Sequence, residues 1–502
     1  MSVLLRSARL VDLGQSGSAT PEGAVDLRVE SGRLVAVAPA LEQRPGEEVV
    51  DLRGRWVLPG LWDAHVHMTQ WALVRRRLDV ADAACAEDVV ALVVRRLRTQ
   101  PVPEGELLVA FGFRDGLWPD SPTAALLDDG IAAAGLPPTP VVVICGDLHS
   151  AWLNTAAAAH LGVSPGILRE DPWFALSGRL DARSDEVLDA WVDDAVRASA
   201  ARGIVGIGDY EMADNLAAWQ RRLGAGTRVR VSAGVWREHL DGAVARELAT
   251  GDVLPGSGGL LQMGSLKVIS DGSLNTFTAY CHEAYQSSTG SSTHGVLNVG
   301  PEDLLPLMAK AARHGIHAAI HAIGDRANAL ALDAFEASGA RGSIEHAQLL
   351  DRGDIARFAA LGVAASVQPE HAMDDRDVID HYWADRADRA YPFADLHAAG
   401  VRLLLGSDAP VAPLDPWHAI AAAVSRSRDG REPWHADQDL SVRVALASSV
   451  RSAVAVGEPA DLVVLDADPL TCGADLLRAM PVAGTMLAGQ WTHDALGRTS
   501  GP

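Results

Sequence analysis

The stretch LWDAHVHM, residues 61–68, places His65 and His67 one residue apart, directly after the sequence VLPG. In an extended strand, the side chains of residues i and i+2 point to the same face. Two imidazoles at the end of one strand can therefore share a single metal ion. An isolated pair of this kind is more often accidental than functional, so the rest of the chain has to decide between the two interpretations.

The composition is that of a globular protein without a nucleic-acid-binding surface. The chain has 502 residues, and its 43 basic and 65 acidic residues give a net charge of −22. This balance argues against a nucleic-acid partner, which needs a basic stripe. The four cysteines are far apart and show no metal-type spacing. A cytoplasmic, disulfide-free protein is the simplest expectation.

Membrane attachment is not expected either. The N-terminal sequence MSVLLRSARLVDLG offers only a short apolar run before Arg6, so no signal peptide is predicted. The chain has no run of about 18 apolar residues, the length that a transmembrane helix needs. We therefore expect no membrane partner.

A repeated alternation of strands and helices predicts the main domain. From about residue 60 to about residue 425, short apolar runs alternate with Ala-rich helical stretches, which is typical of a parallel sheet. The number of runs fits a closed (β/α)₈ barrel. Besides the run that ends at His65 and His67, the predicted strands are PVVVICG (140–146), GIVGIGD (203–209), RVRVSAGV (228–235), SLKVISDG (265–272), HAAIHAIGD (317–325), GSIEHAQ (342–348), GVAASVQ (362–368) and VRLLLGSDAP (401–410).

Both ends of the chain predict a second, smaller domain. Residues 1–58 alternate apolar and polar residues between turn signals, which indicates antiparallel strands. The tail returns to strands in ADLVVLDADPL (460–470) and VAGTMLAGQWTHD (482–494). We predict a discontinuous β-sandwich built from residues 1–58 and 426–502, with the α/β barrel over residues 59–425.

Polar residues fall at the ends of the predicted barrel strands, where the chemistry of an α/β barrel is found. In chain order they form a complete ligand set for two metal ions: His65, His67, Lys267, His321, His346 and Asp408. Imidazole and carboxylate groups bind zinc-like ions. A neutral lysine amine can take up carbon dioxide, and the resulting carbamate is an anion that can bridge two cations. Burial and nearby positive charge favour that neutral amine.

Each of these residues also has an ordinary interpretation when taken alone. Lys267 fits an interior or surface lysine, and His321 and His346 fit buried core histidines. Asp408 fits the N-cap of a helix whose first turn contains Pro410. The occurrence of all six residues at strand ends, in this order, is what favours the metal site.

With these residues in place, the chain resembles the amidohydrolase superfamily, and more narrowly the amidohydrolase family 3 branch with its N-substituted formamide deformylase-like enzymes. The segments that carry the resemblance are VLPGLWDAHVHM, GDLHSAWLN, SLKVISDGSL, IHAIGDRANALALDAF, GSIEHAQ, SVQPEH, GSDAPVAPLDPW and PADLVVLDADP. The resemblance implies a barrel with a composite β-sandwich and a metal-dependent hydrolase of C–N bonds, usually amides. It also implies a homodimer at the level of the family.

The same resemblance assigns roles to individual residues. His65, His67, Lys267 and Asp408 would bind one divalent ion, and Lys267, His321 and His346 the other. Lys267 would be carbamylated and Asp408 would act as the general base. Zinc is the expected metal, although manganese, iron and cobalt take the same ligands. Weaker matches to substrate-contacting positions are His149, Asp271, Gly272, His371 and Trp118. Asp325 would either orient His321 or cap a helix.

The predicted reaction is attack on an amide carbonyl of a small molecule by a hydroxide that bridges two metal ions, with N-formyl and N-acyl amides as candidate substrates. Alternatives are a mononuclear deaminase, a C–O or C–C bond-cleaving relative and a catalytically silent barrel, because a fold does not fix a reaction. The chain also departs from the usual family sequence DGSLGSRTA, since Asn275, Thr276 and Phe277 follow DGSL. This loop follows Lys267, so it bears on substrate preference.

Overall fold

The computed structural model describes residues 2–14, 21, 23–103, 105–180, 183–285 and 293–497. The strands are β1 (Ser2–Leu10), β2 (Val25–Glu30), β3 (Arg33–Ala38), β4 (Glu48–Asp51), β5 (Trp56–Pro59), β6 (Leu61–Val66), β7 (Leu78–Asp79), β8 (Leu108–Phe113), β9 (Val141–Cys145), β10 (Ser150–Leu153), β11 (Gly166–Arg169), β12 (Ile204–Asp209), β13 (Arg230–Trp236), β14 (Leu261–Ile269), β15 (Ala318–Ala322), β16 (Gly342–His346), β17 (Ala364–Val367), β18 (Leu403–Leu405), β19 (Leu462–Leu465), β20 (Val482–Leu487) and β21 (Gln490–Asp494).

The α-helices are α1 (Met68–Val74), α2 (Ala86–Thr99), α3 (Ala124–Ala133), α4 (Thr155–Leu161), α5 (Asp171–Leu180), α6 (Asp185–Ala200), α7 (Asn215–Gly224), α8 (Arg237–Ala245), α9 (Pro301–Arg313), α10 (Asp325–Ser338), α11 (Arg352–Leu361), α12 (Pro369–Tyr382), α13 (Phe393–Ala398), α14 (Pro416–Ser425), α15 (Val442–Ala447) and α16 (Ala474–Arg478). Short 3₁₀ helices span Asp115–Leu117, Ala387–Arg389 and Ala436–Gln438. Among the described residues, none of the helices combines the length and apolarity that crossing a bilayer requires.

Eight parallel strands form the barrel in the described part of the chain, which confirms the predicted (β/α)₈ fold. Their order around the barrel is β6, β12, β13, β14, β15, β16, β17 and β18. The ring closes between β18 and β6, where the Asp408 N–H donates to His65 O at 2.8 Å and the His67 N–H donates to Ala409 O at 2.8 Å. Closure therefore brings the first and last predicted ligands together, although more than 300 residues separate them in sequence.

One predicted barrel strand lies elsewhere. The run PVVVICG contains β9, which belongs to a separate five-stranded sheet with the order β11-β10-β9-β8-β7. This inserted sheet, as we call β7–β11, lies between barrel strands β6 and β12 in the chain. All five residues of β9 are buried, as they would be in a barrel strand, because apolar clusters cover both faces of the inserted sheet. Hydrophobicity alone cannot separate the two cases.

Strands from both ends of the chain form the small β domain, which confirms that it is discontinuous, while its bounds at residues 58 and 426 stay predictions. Its strand order is β21-β20-β19-β5-β1-β2-β3, with β4 beside β1. The C-terminal strand β19 pairs with β5 in antiparallel fashion, with Leu462 opposite Pro59. Apolar side chains from both ends, including Leu27, Val57 and Met486, share one buried cluster. The small domain therefore fixes the entry into β6, the strand that carries His65.

A buried ion pair stabilises this small domain. Arg28 donates to Glu47 from Nε at 2.7 Å and from Nη2 at 3.1 Å, and the Ser2 hydroxyl and the Arg44 N–H donate to the same carboxylate. Glu47 is only 6% exposed. The hydrogen bonds from Arg28 are the main reason that the pKa of Glu47 falls to about 2.

We expect Glu47→Ala to lower the free energy of unfolding by about 3–5 kcal/mol, because it leaves the Arg28 guanidinium buried without its partner. Urea denaturation measures this loss. Glu30→Ala removes an exposed ion pair with Arg44 and should cost less than about 1 kcal/mol. Since the pKa of Glu47 is depressed on folding, its contribution is complete above the unfolded pKa and disappears as the pH falls towards 2. Equal costs for the two variants would contradict this assignment.

Candidate active site

The six predicted ligands converge at the carboxyl-terminal rim of the barrel. His65 lies in β6 and His67 directly after it, Lys267 lies in β14, His321 in β15 and His346 in β16, while Asp408 follows β18. All six line one cavity of about 1360 Å³. Parallel strands end at the same rim, so residues distant in sequence share this one site.

Four of these side chains form a compact group of donor atoms. The Oδ1 atom of Asp408 lies 3.4 Å from His65 Nε2 and 3.4 Å from His67 Nε2. The Nζ atom of Lys267 lies 3.4 Å from the same His65 Nε2. Two imidazole nitrogens and a carboxylate oxygen at these separations are a donor set that suits a zinc-like cation.

A buried carboxylate fixes the orientation of His65. The Nδ1–H of His65 donates to Glu345 Oε2 at 2.7 Å, and the Ser343 hydroxyl donates to the other oxygen of Glu345. Burial lowers the pKa of His65 to about 4, and the nearby Lys267 charge acts in the same direction. The imidazole is therefore neutral at pH 7, with its proton on Nδ1 and the lone pair of Nε2 available to a metal.

A second group of donors surrounds His346. Donor atoms of His346, His371 and Asp408 lie within 4.8 Å of one another, and the rings of His346 and His321 are in contact with centroids 4.5 Å apart. In the described part of the chain, the Nδ1 atoms of His67 and His346 and the Nε2 atom of His371 are buried without a hydrogen-bond partner. Buried polar atoms are normally satisfied, so these atoms fit a site built to bind something else.

Lys267 is buried and lies next to the first of these groups. Its Nζ atom is 5.0 Å from the centre of the Tyr210 ring. Burial lowers the pKa of Lys267 to about 8, against the opposing charges of Glu345 and Asp408. The donor set, with the neutral imidazole of His65, therefore fits a metal centre, with Lys267 next to it.

Asp271 lies behind His321 rather than in the wall of the cavity. Its carboxylate accepts hydrogen bonds from the Ile323 and Gly324 N–H groups, at 3.1 and 2.9 Å. The Nε2 atom of His321 lies 3.3 Å from Asp271 Oδ1, and this orients the imidazole. Gly272 lines the cavity, and a Cβ there would lie 2.0 Å from the Thr278 hydroxyl oxygen. The backbone can pass so close only because residue 272 is glycine.

The remaining predicted positions divide into two groups. His149 and His371 line the cavity. Trp118 is not brought there, since it packs against the core of the inserted sheet with its ring 5.8 Å from Phe113. Asp325 accepts from the N–H groups of His282 and Arg326 and from the Arg389 side chain. Asp271 therefore takes the position beside His321 that the sequence suggested for Asp325.

The helix-cap interpretation of Asp408 does not apply. The next helix, α14, begins at Pro416, and its N-cap is Asp415, which accepts from the Trp417 N–H. Asp408 instead has a left-handed backbone, with φ of 56°, and His346 has φ of 74°. Such conformations are uncommon for residues with a side chain and cluster at functional sites.

Sequence reasoning missed two carboxylates that support the site. Glu345 is adjacent to His346 in β16, and Asp63 lies two residues before His65 in β6. The Asp63 carboxylate accepts from the N–H groups of Ser407 and His65, which fastens the two strands at the closure of the barrel. In the sequence, each of the two is a carboxylate within an otherwise apolar strand. Charged groups are seldom buried without a partner, so this pattern could have identified them.

We expect Glu345→Gln to weaken metal binding by about 10–100-fold, because the carboxylate that fixes the His65 tautomer is replaced by an amide. Titration of the protein with zinc against a competing chelator measures this change. Glu336→Gln is the matched control, since Glu336 lies on the exposed surface of α10. If both variants bound zinc as tightly as the unaltered protein, Glu345 would have no role in the metal centre.

A barrel with histidines, a lysine and an aspartate at this rim is the architecture of a metal-dependent hydrolase. The model of the amidohydrolase family matches residues 48–493. The chain is 28% identical to the putative amidohydrolase YtcJ of Bacillus subtilis, covering 90% of this chain and 91% of that protein. It is 26% identical to the N-substituted formamide deformylase of Arthrobacter pascens, covering 93% of this chain and 95% of that protein.

A solved structure has the same fold. The crystal structure of an uncharacterized metal-dependent hydrolase from Pyrococcus horikoshii superposes with a TM-score of 0.75 at 24% identity, covering 95% of this chain and 99% of that chain. Because the family model matches most of the chain, the protein belongs to the amidohydrolase family. It is an enzyme that acts on carbon–nitrogen bonds other than peptide bonds.

Proposed function

We propose that this enzyme hydrolyses an amide bond of a small molecule, with N-formyl and N-acyl amines as the substrate class, at a centre of two divalent metal ions. The observation that carries the proposal is the group formed by Asp408 Oδ1, the Nε2 atoms of His65 and His67, and Lys267 Nζ. The similarity to an enzyme named N-substituted formamide deformylase supports the N-formyl class.

Lysine usage supports a special role for Lys267. The chain contains only two lysines, Lys267 and Lys310, against 41 arginines. A sequence that otherwise uses arginine for positive charge keeps a lysine at the buried rim of the barrel, where arginine could not replace it. A guanidinium stays protonated, whereas a neutral amine can become a carbamate. We therefore propose that Lys267 is carbamylated.

The charge of the centre favours the same assignment. Two divalent ions carry four positive charges, so an ammonium group beside them would be repelled. A carbamate on Lys267 and the carboxylate of Asp408 would instead supply two negative charges. The first ion would be held by His65, His67, Asp408 and Lys267. The second would be held by Lys267, His321 and His346, with the buried His371 as a further donor.

Bound divalent ions supply Lewis acidity and make water nucleophilic near neutral pH. The chain supplies the proton transfers. Asp408 accepts a proton from the attacking water as the new C–O bond forms, and it returns a proton to the leaving nitrogen as the C–N bond breaks. Its position between His65 Nε2 and His67 Nε2 holds the carboxylate at the point where that water would enter.

The wall of the cavity supports a substrate with an apolar substituent. Trp173, Phe174 and Leu188 line the side formed by α5 and α6. In the loop after Lys267, Asn275 lines the wall and its amide donates to Asp375 at 3.0 Å. Phe277 packs against Tyr382 with ring centroids 4.6 Å apart, so it acts as a support for this loop.

A substrate panel on metal-loaded protein tests the proposal. We expect zinc-loaded enzyme to release aniline from formanilide or acetanilide, or the free amino acid from N-formyl or N-acetyl amino acids, and His67→Ala to abolish the release. Cytosine and adenine serve as deaminase substrates in the same panel. Release of ammonia from these bases, without hydrolysis of any amide, would contradict the proposal and favour a deaminase.

A further inference from the structure

The inserted sheet brings a histidine and a carboxylate into the same cavity. His149 directly precedes β10, and Glu170 directly follows β11. These strands pair in antiparallel fashion with Ser150 opposite Arg169, so the next pair in register is His149 opposite Glu170. Both residues line the cavity that contains the predicted ligands, although they come from a sheet outside the barrel.

The two side chains form an ordered dyad. The Nδ1 atom of His149 lies 3.0 Å from Glu170 Oε2, and the Thr278 hydroxyl donates to the other oxygen of Glu170 at 3.4 Å. Thr278 belongs to the loop that follows Lys267, so this contact joins the dyad to the barrel rim. With Nδ1–H directed to the carboxylate, the remaining ring nitrogen, Nε2, can take another partner.

The backbone on both sides of the dyad is held in an unusual conformation. Leu148 has φ of 66° and Glu170 has φ of 53°. The Trp173 indole donates to Leu148 O at 2.8 Å, and the Glu170 N–H donates to His149 O at 2.9 Å. Strained backbone that the surroundings fix in this way is found where a side chain has to be aimed at a particular point.

The surroundings also favour the protonated imidazole. Burial acts to lower the pKa of His149, but the hydrogen bond that Nδ1–H donates to Glu170 and the charges of Asp147, Glu170 and Asp408 outweigh it, so the pKa lies above its ordinary value. The ring of Phe174 packs against the His149 ring in an edge-to-face arrangement, with centroids 5.4 Å apart. A carboxylate that holds an imidazole through its Nδ1–H is also the arrangement that orients the histidine of a catalytic histidine–carboxylate pair.

We propose that His149 is a further catalytic residue, whose Nε2–H donates a hydrogen bond to the carbonyl oxygen of the substrate, and that Glu170 is its positioning residue. This inference rests on the proposed amide hydrolysis. As the water oxygen bonds to the carbonyl carbon, the C=O electron pair moves onto the oxygen that His149 contacts. The pair returns when the C–N bond breaks, and the water proton goes through Asp408 to the leaving nitrogen. A fixed donor stabilises the charge that develops on that oxygen.

The test compares His149→Ala and His149→Gln with the unaltered zinc-loaded enzyme. We expect His149→Ala to lower kcat on formanilide by about 10²-fold, with KM changed less than about threefold and the zinc content unchanged. His149→Gln places an amide N–H near the position of Nε2 and should restore part of kcat. Glu170→Gln keeps an acceptor for Nδ1–H but removes the charge, so we expect a smaller loss of about tenfold. His160→Ala, at an exposed histidine of α4, is the control.

A binding measurement makes the result independent of the substrate. Methylphosphonate imitates the tetrahedral anion formed during hydrolysis of an acetyl group, and its Kd can be measured by calorimetry on the zinc-loaded protein. We expect His149→Ala to raise this Kd about tenfold, equivalent to about 1.4 kcal/mol, and His160→Ala to leave it unchanged. If no amide were hydrolysed, the proposed function would be wrong. The Kd of methylphosphonate would still show whether His149 contacts the bound anion. Unchanged Kd in His149→Ala, or loss of its zinc, would overturn the inference.

Discussion

Lys267→Ala is expected to lower kcat by at least about 10³-fold and to reduce the bound zinc from about two ions per chain to about one. Lys267 Nζ lies 3.4 Å from His65 Nε2, and in the proposed centre its carbamate is the ligand that both ions share. Without that group, two cations would face each other with less negative charge between them. Metal analysis of the purified variant and amide hydrolysis at saturating zinc measure the two effects.

Lys267→Arg tests whether activity requires a carbamate at this position or only a positive charge. Arginine keeps the charge but cannot be carbamylated, since a guanidinium stays protonated, so this variant should be as inactive as Lys267→Ala. Lys310→Ala changes the only other lysine of the chain, which is paired with Asp241 on the surface, and should behave like the unaltered enzyme. A carbamate carbon should be visible by NMR after incubation with ¹³C-bicarbonate. Full activity and metal content in Lys267→Ala would favour a mononuclear centre.

The barrel was predictable from the sequence because each of its strands ends in a recognisable way. His321 and His346 follow short apolar runs, and parallel strands place such ends at one rim. The inserted sheet was not predictable, because β9 is apolar along its whole length and is covered on both faces. The same five residues would satisfy a barrel position, so only tertiary contacts distinguish the two arrangements.

The supporting residues of the site were harder to predict than the candidate ligands. Neighbouring side chains in a regular strand point to opposite faces. If GSIEHAQ is a regular strand with His346 facing the site, Glu345 is therefore predicted to face away from it. The left-handed backbone of His346, with φ of 74°, ends this alternation. Glu345 can therefore bond to His65 while the ring of His346 lies 5.3 Å from the ring of His65. A sequence pattern carries no sign of such a local reversal.

The contribution of the inserted sheet was hidden for the same reason. Glu170 is about 20 residues from His149 in sequence, and the two meet only because β10 and β11 pair with a particular register. Register depends on hydrogen bonds between strands and on the turn that joins them. His149 was recognisable as a cavity residue, whereas its carboxylate partner was not.

Asp408→Asn is expected to lower kcat by about 10³–10⁴-fold, because the amide cannot take the proton that the reaction removes from water. Burial acts to raise the pKa of Asp408, but the neighbouring imidazoles of His65 and His67 hold the pKa well below its usual range. The group is therefore an anion at neutral pH. Steady-state kinetics at saturating zinc, together with metal analysis, measure the loss.

Asp408→Glu distinguishes the charge of this residue from its position. Glutamate keeps the carboxylate but moves it by one methylene group, away from the point 3.4 Å from both His65 Nε2 and His67 Nε2. Misplacement by about 1 Å can cost about 10²-fold in rate, so we expect Asp408→Glu to retain zinc and to fall between Asp408→Asn and the unaltered enzyme. Asp415→Asn, in the same loop, keeps an oxygen that can cap α14 and should leave kcat within about threefold. If Asp408→Asn kept both its zinc and its activity, proton transfer would have to be carried out by another group, and the order of steps proposed for this centre would be wrong.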